Sequence, residues 1–150
     1  MEKRINLFEK ATDGLKPIFA MGAYLKKSSI EKSLQELVVF RVSQINGCAF
    51  CLDMHSKDAR AAGETEQRLY GLSAWRETPY YTDRERAALA WAEAITAAKV
   101  SDEVYAKVSG HFTEEELIDL TLIATSINTW NRLQSAFPVK PGSYTVGQFG

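Results

Sequence analysis

Apolar residues recur along this chain at intervals of three and four almost throughout, and little of it alternates with the period of two that a half-buried strand requires. The spacing predicts a first helix from about Asp13 to Lys27, with Pro17 in its opening turn, where a missing amide hydrogen costs nothing. Ser33-Leu-Gln-Glu36 has the form of a capping box and opens a second helix, which runs to Ile45 and stops at an Asn46-Gly47 turn. A third helix carries Cys48 and Cys51 near its start and ends at Gly63, and a short one follows from about Glu64 to Leu72. Beyond an aromatic connector with Trp75, Pro79, Tyr80 and Tyr81, the box Thr82-Asp-Arg-Glu85 opens an alanine-rich helix through Trp91 to Ala98. Ser101 caps a brief helix to Val108, and Thr113-Glu-Glu-Glu116 launches a long final one to about Ala136. Only Ser143 to Phe149 has strand character, so the expected fold is all-α, one helical domain over residues 1–150. Residues 137–150 hold two prolines and three glycines and are expected to be an irregular tail or an arm that packs on a neighbouring subunit.

The second helix is apolar on nearly every side: Leu34, Leu37, Val38, Val42 and Ile45 make one stripe, and Val39 and Phe40 cover much of the rest. Such a helix is expected in the core. Glu36 shares the face of Val39, Phe40 and Ser43, where its carboxylate would be partly desolvated and suited to act as a base. The competing reading makes Glu36 the third residue of the Ser33 capping box, with no chemical role.

Composition narrows the classes of function. With 18 basic and 19 acidic residues interspersed and a net charge of -1, there is no basic patch for nucleic acid. The amino-terminal run MEKRINLFEK lacks the apolar core of a signal peptide, and no run reaches the roughly 18 apolar residues of a membrane span, so a cytosolic protein is expected. Both cysteines fall in one Cys-Ala-Phe-Cys run, too short a loop to staple a fold in a reducing compartment, which points to redox catalysis or metal binding.

His55, one of two histidines, follows Cys51 by four positions. At about 100° per residue, Cys51 lies about 300° and His55 about 340° around from Cys48, so all three project within an arc of about 60°. If the second and third helices fold back about the Asn46-Gly47 turn, Glu36 lands beside His55. Glu36, His55, Cys51 and Cys48 then form a line along which a proton can leave a thiol. Two other readings of the pair are buried small hydrophobes and a zinc site made by these four residues, although structural zinc draws on two short ligand pairs and no second pair exists.

The stretch from Glu36 through Cys48, Cys51 and His55 resembles the carboxymuconolactone decarboxylase-like superfamily, and within it the alkylhydroperoxidase AhpD-type branch, with the same separations of glutamate, Cys-x-x-Cys and histidine. The likeness continues through Asp58-Ala59, Gly63-Glu64, Tyr81 to Trp91 and Ile127 to Arg132, and spans about residues 30 to 135. It implies an AhpD-like helical bundle, assembly into homotrimers or homohexamers, and reduction of hydrogen peroxide or organic hydroperoxides without metal or organic cofactor, with an external dithiol as electron donor. It makes Cys51 the residue that becomes a sulfenic acid, Cys48 its proton donor and resolving partner, and Glu36 with His55 the proton relay. One position departs from the pattern: the residue before the second cysteine, a histidine in the AhpD type, is Phe50. Helix physics favours the other sulfur as nucleophile, because Cys48 is nearer the amino-terminal end of its helix, where free amides stabilise a thiolate.

The alternatives to a peroxidase are a thiol-disulfide oxidoreductase and a non-enzymatic redox sensor or ligand-binding module that uses the same pair. His111 reads as a surface residue, and Trp75, Tyr80 and Tyr81 as packing rather than a pocket wall. Asn128, Asn131 and Arg132 stand out as polar groups on an apolar final helix, fit either to bind a ligand or to tie subunits together.

Overall fold

The computed structural model describes residues 4–10 and 12–149. Their order is α1 (Leu7–Lys10), α2 (Thr12–Leu25), α3 (Lys32–Asn46), α4 (Ala49–Ala61), α5 (Glu66–Gly71), a 3-10 turn at Leu72–Ala74, α6 (Asp83–Thr96), α7 (Asp102–Ser109) and α8 (Glu114–Ala136). The fold is all-α, with no strand among the described residues, Ser143 to Phe149 included. None of these helices is long and apolar enough to cross a membrane.

Helix α3 lies at the centre, which is why its sequence has no polar face. On one side Leu34, Val38 and Val42 meet Ala88, Trp91 and Ala92 of α6 and Leu120, Ile123, Ala124 and Ile127 of α8. On the other, Leu37 and Phe40 join Leu69, Leu72, Trp75, Tyr81 and Leu89 in a second cluster. Each fully buried leucine or valine here contributes about 1.5–3 kcal/mol relative to exposure, so the two clusters fix α3 from both sides.

The capping boxes at Thr82 and Thr113 form as expected, each hydroxyl accepting from the third backbone N–H while the glutamate accepts from the cap's own N–H. Ser101 caps α7 in the simpler way. The third expected box does not form. Helix α3 starts at Lys32 behind Glu31, which makes no side-chain cap bond, so Ser33 lies inside the first turn. The cause is burial: Ile30 and Leu34 are both sunk in the first cluster and draw the chain into the helix two residues early. Pro17 also sits deeper than expected, beyond the first turn of α2. Asp13 and Pro17 are exposed there, so water can serve the Asp13 carbonyl that loses its amide partner.

The last segment is irregular, and it folds back on its own chain. Asp53 accepts from the Gly142 N–H at 2.8 Å, Lys57 donates to the Tyr144 carbonyl at 3.0 Å, and the Tyr144 hydroxyl donates to Asp58 at 2.8 Å, all on α4.

Candidate active site

Helices α3 and α4 are joined by a hairpin that Gly47 closes at φ 65°, a left-handed conformation that costs glycine little and β-branched residues much. The Cys48 N–H donates to the Ser43 carbonyl at 3.1 Å and pins the first cysteine to the end of α3. Asn46 donates to the side-chain oxygens of Asn128 and Asn131, both at 2.9 Å, and Asn131 donates to the Ser43 hydroxyl at 3.2 Å. Arg132 donates to the Asn128 side chain at 2.7 Å. The polar residues of α8 therefore tie down the turn that carries the cysteines within one subunit, a use that their sequence positions did not reveal.

Cys48 is the N-cap of α4, and its sulfur accepts from the Cys51 N–H at 3.4 Å. The two cysteines are joined as a disulfide, with Cα atoms 5.3 Å apart. One turn further on, His55 Nδ1 lies 3.4 Å from Glu36 Oε2. The folded-back hairpin thus brings together the four residues expected from the sequence. With Nδ1–H donating to Glu36, His55 Nε2 carries the free lone pair, and this buried nitrogen has no partner among the described residues.

A cavity of about 300 Å³ opens beside Cys51 and His55. Its walls are mainly apolar, with Val39, Phe50, Ile123 and Trp130 among them, and both Cys51 and His55 line it. Cys51 at 2% and Cys48 at 7% exposure are equally sheltered from bulk water, so exposure does not distinguish them. The cavity does, because Cys51 forms part of its wall and Cys48 does not. Phe50, at the position where the AhpD pattern has histidine, presents a ring to the same space. Among the described residues no group of three or more histidine, cysteine and acidic side chains is arranged to hold a metal ion.

The remaining sequence candidates lie elsewhere. Trp75 and Tyr81 are buried in the second core cluster with Tyr80 packed on it, and His111 is partly exposed, its carbonyl taken by Arg84. Sequence reasoning missed the contribution of the chain's ends to the cavity, where Phe8 and Phe149 stack with centroids 5.4 Å apart. They are separated by nearly the whole sequence, and no local pattern marks either.

Fold and site together define an all-helical protein with a buried Cys-x-x-Cys centre at the start of a helix that packs on the central one. The chain belongs to the carboxymuconolactone decarboxylase family, whose profile matches residues 15–94. It is 48% identical to the uncharacterized protein YdfG of Bacillus subtilis, over 91% of this chain and 95% of that one. Among solved structures it resembles a protein of unknown function from Agrobacterium tumefaciens, put forward as an antioxidant defence protein AhpD, at 37% identity and a TM-score of 0.90, covering 95% of this chain and all of that one. The debrominase Bmp8 shares the fold with a TM-score of 0.81 at 20% identity, covering 90% of this chain and 74% of that one. The fold alone therefore does not choose the chemistry.

Proposed function

We propose that the protein is a thiol-dependent peroxidase that reduces hydrogen peroxide or organic hydroperoxides. The observation that carries this reading is that Cys51 and an imidazole with an unpaired nitrogen share one apolar cavity. In the reduced protein His55 Nε2 takes the Cys51 thiol proton, while Glu36, accepting from Nδ1–H, stabilises the imidazolium that results. The thiolate attacks the outer oxygen of the hydroperoxide, the O–O bond breaks, and the departing alkoxide takes a proton from His55. Cys51 is left as a sulfenic acid. Cys48, whose thiolate is stabilised by the Cys51 N–H at the helix start, attacks that sulfur and displaces water after proton transfer. An external dithiol then reduces the disulfide by exchange and is itself oxidised. The scheme calls for no metal or organic cofactor. It also reconciles the two pulls on the nucleophile, since the helix terminus favours Cys48 as the resolving thiolate while the cavity gives the peroxide to Cys51.

We further propose assembly into a homotrimer or homohexamer, supported by family resemblance and by large apolar side chains left exposed on one subunit, Tyr70 and Ile118 among them. The deciding experiment for function is turnover with dithiothreitol as reductant. A peroxidase consumes many equivalents of hydroperoxide per subunit; consumption of a single equivalent would make the pair a sensor instead.

A further inference from the structure

One lining residue of the cavity beside Cys51, Phe149, is carried by a segment that has no part in the peroxidase scheme. Beyond α8 the chain has no regular structure, yet it lies on α4, the helix that carries Cys51 and His55, held by Asp53, Lys57 and Asp58. Tyr144 is the buried anchor. Burial and the Asp58 carboxylate push its hydroxyl up to about 12, so it remains a hydrogen-bond donor to Asp58 through the neutral range. Past this latch Gly147, at φ 80°, turns the chain and donates its N–H to the Tyr144 hydroxyl oxygen at 3.1 Å. The turn delivers Phe149 to the cavity.

Phe149 stacks on Phe8 and on Tyr144, with centroids 5.4 and 5.8 Å away, and meets Phe50 edge-on at 6.5 Å. It lines the cavity and is nonetheless 42% exposed, whereas Ile123, which also lines it, is 3% exposed. A ring that borders both the cavity and water, carried by a segment fastened through side chains rather than a backbone ladder, is built as a door.

We propose that Phe149 is a specificity-determining residue, setting the size of the hydroperoxide that reaches Cys51, with the Tyr144–Asp58 pair as the latch that holds it in place. The proposal rests on the peroxidase reading for its substrate but not for its geometry, because the same door governs any reagent that approaches Cys51 through the cavity. An organic hydroperoxide gains by burying its carbon skeleton against Phe8, Phe50 and Phe149, and hydrogen peroxide has no skeleton to bury. For a skeleton as large as an aryl group the obstruction by the ring outweighs this contact.

The test uses the reduced Cys48→Ser protein, in which Cys51 is the sole thiol, and compares its alkylation by iodoacetamide with that by pyrenylmaleimide. Adding Phe149→Ala is expected to speed the bulky probe by about 10-fold and the small one by less than about 2-fold, the scale on which pocket contacts discriminate size. Tyr144→Phe, which keeps the ring and loses the hydroxyl's bonds to Asp58 and Gly147, moves the ratio in the same direction by less. Val146→Ala, at an exposed position on the same segment, leaves both rates alone. In the two-cysteine protein, Phe149→Ala raises kcat/KM for cumene hydroperoxide relative to hydrogen peroxide. An unchanged or equally accelerated pair of alkylation rates in Phe149→Ala overturns the door, and so does a Val146→Ala effect of the same size. An inert Tyr144→Phe overturns the latch. Size-selective alkylation in a protein that turns over neither peroxide would retire the peroxidase reading and leave the door standing.

Discussion

His55 Nδ1 and Glu36 Oε2 lie 3.4 Å apart across the α3–α4 hairpin, and this contact gives Glu36 its place in the molecule. Helix α3 begins at Lys32, so the carboxylate caps nothing and points at the imidazole instead. Glu36→Gln keeps the shape but cannot stabilise an imidazolium. Peroxide turnover is expected to fall about 100-fold, the scale of a lost acid–base partner, with little change in melting temperature. A variant that melts earlier yet turns over at the parent rate would return Glu36 to a structural role.

Only Cys51 faces the cavity, and this predicts which sulfur the peroxide oxidises. Cys48→Ser removes the resolving thiol, so one equivalent of hydroperoxide should leave a sulfenic acid on Cys51 that dimedone traps and peptide mapping locates. Cys51→Ser should give no adduct on Cys48. The reverse pattern exchanges the two roles.

Glu93 predicts part of the acid sensitivity of the fold. Burial pushes its carboxyl up, but donors from Trp75 at 2.9 Å, Arg41 at 2.8 Å and Arg76 at 2.7 Å outweigh this and hold it below the usual range. A carboxyl lowered on folding adds stability above its unfolded value and loses it as pH falls through the folded one. Glu93→Gln should therefore cost about 1–3 kcal/mol at neutral pH, with the gap to the parent narrowing below about pH 4 in chemical denaturation series. A gap that stays constant with pH would show that the charge contributes nothing.

Oligomerisation is checked by light scattering at micromolar concentration, where a mass three or six times that of the subunit is expected. A monomer would leave Tyr70 and Ile118 to solvent and remove the basis for the assembly.

How much of this protein was legible beforehand depends on the range of the physics involved. The helices from α2 onward and the caps at Thr82, Ser101 and Thr113 follow from local hydrogen bonding, which a few adjacent residues settle among themselves, whereas the short α1 at Leu7–Lys10 was not foreseen. The row of Glu36, His55, Cys51 and Cys48 was equally readable, because one tight turn with Gly47 joins two helices of known rise and the register follows by counting. The false capping box at Ser33 shows where local rules stop: the burial of Ile30 and Leu34 in a core made by distant helices moved the helix start. Asn131 was visible as an anomaly, but its partners Asn46 and Ser43 depend on how α8 crosses the hairpin. The cavity belongs wholly to tertiary structure. Phe8 and Phe149 line the same cavity as Cys51 only because the two ends of the chain pack onto α4 and α8, and no periodicity encodes a contact between side chains so far apart in sequence. The candidate site was thus written in one short segment, while the cavity beside it was decided by the packing of everything else.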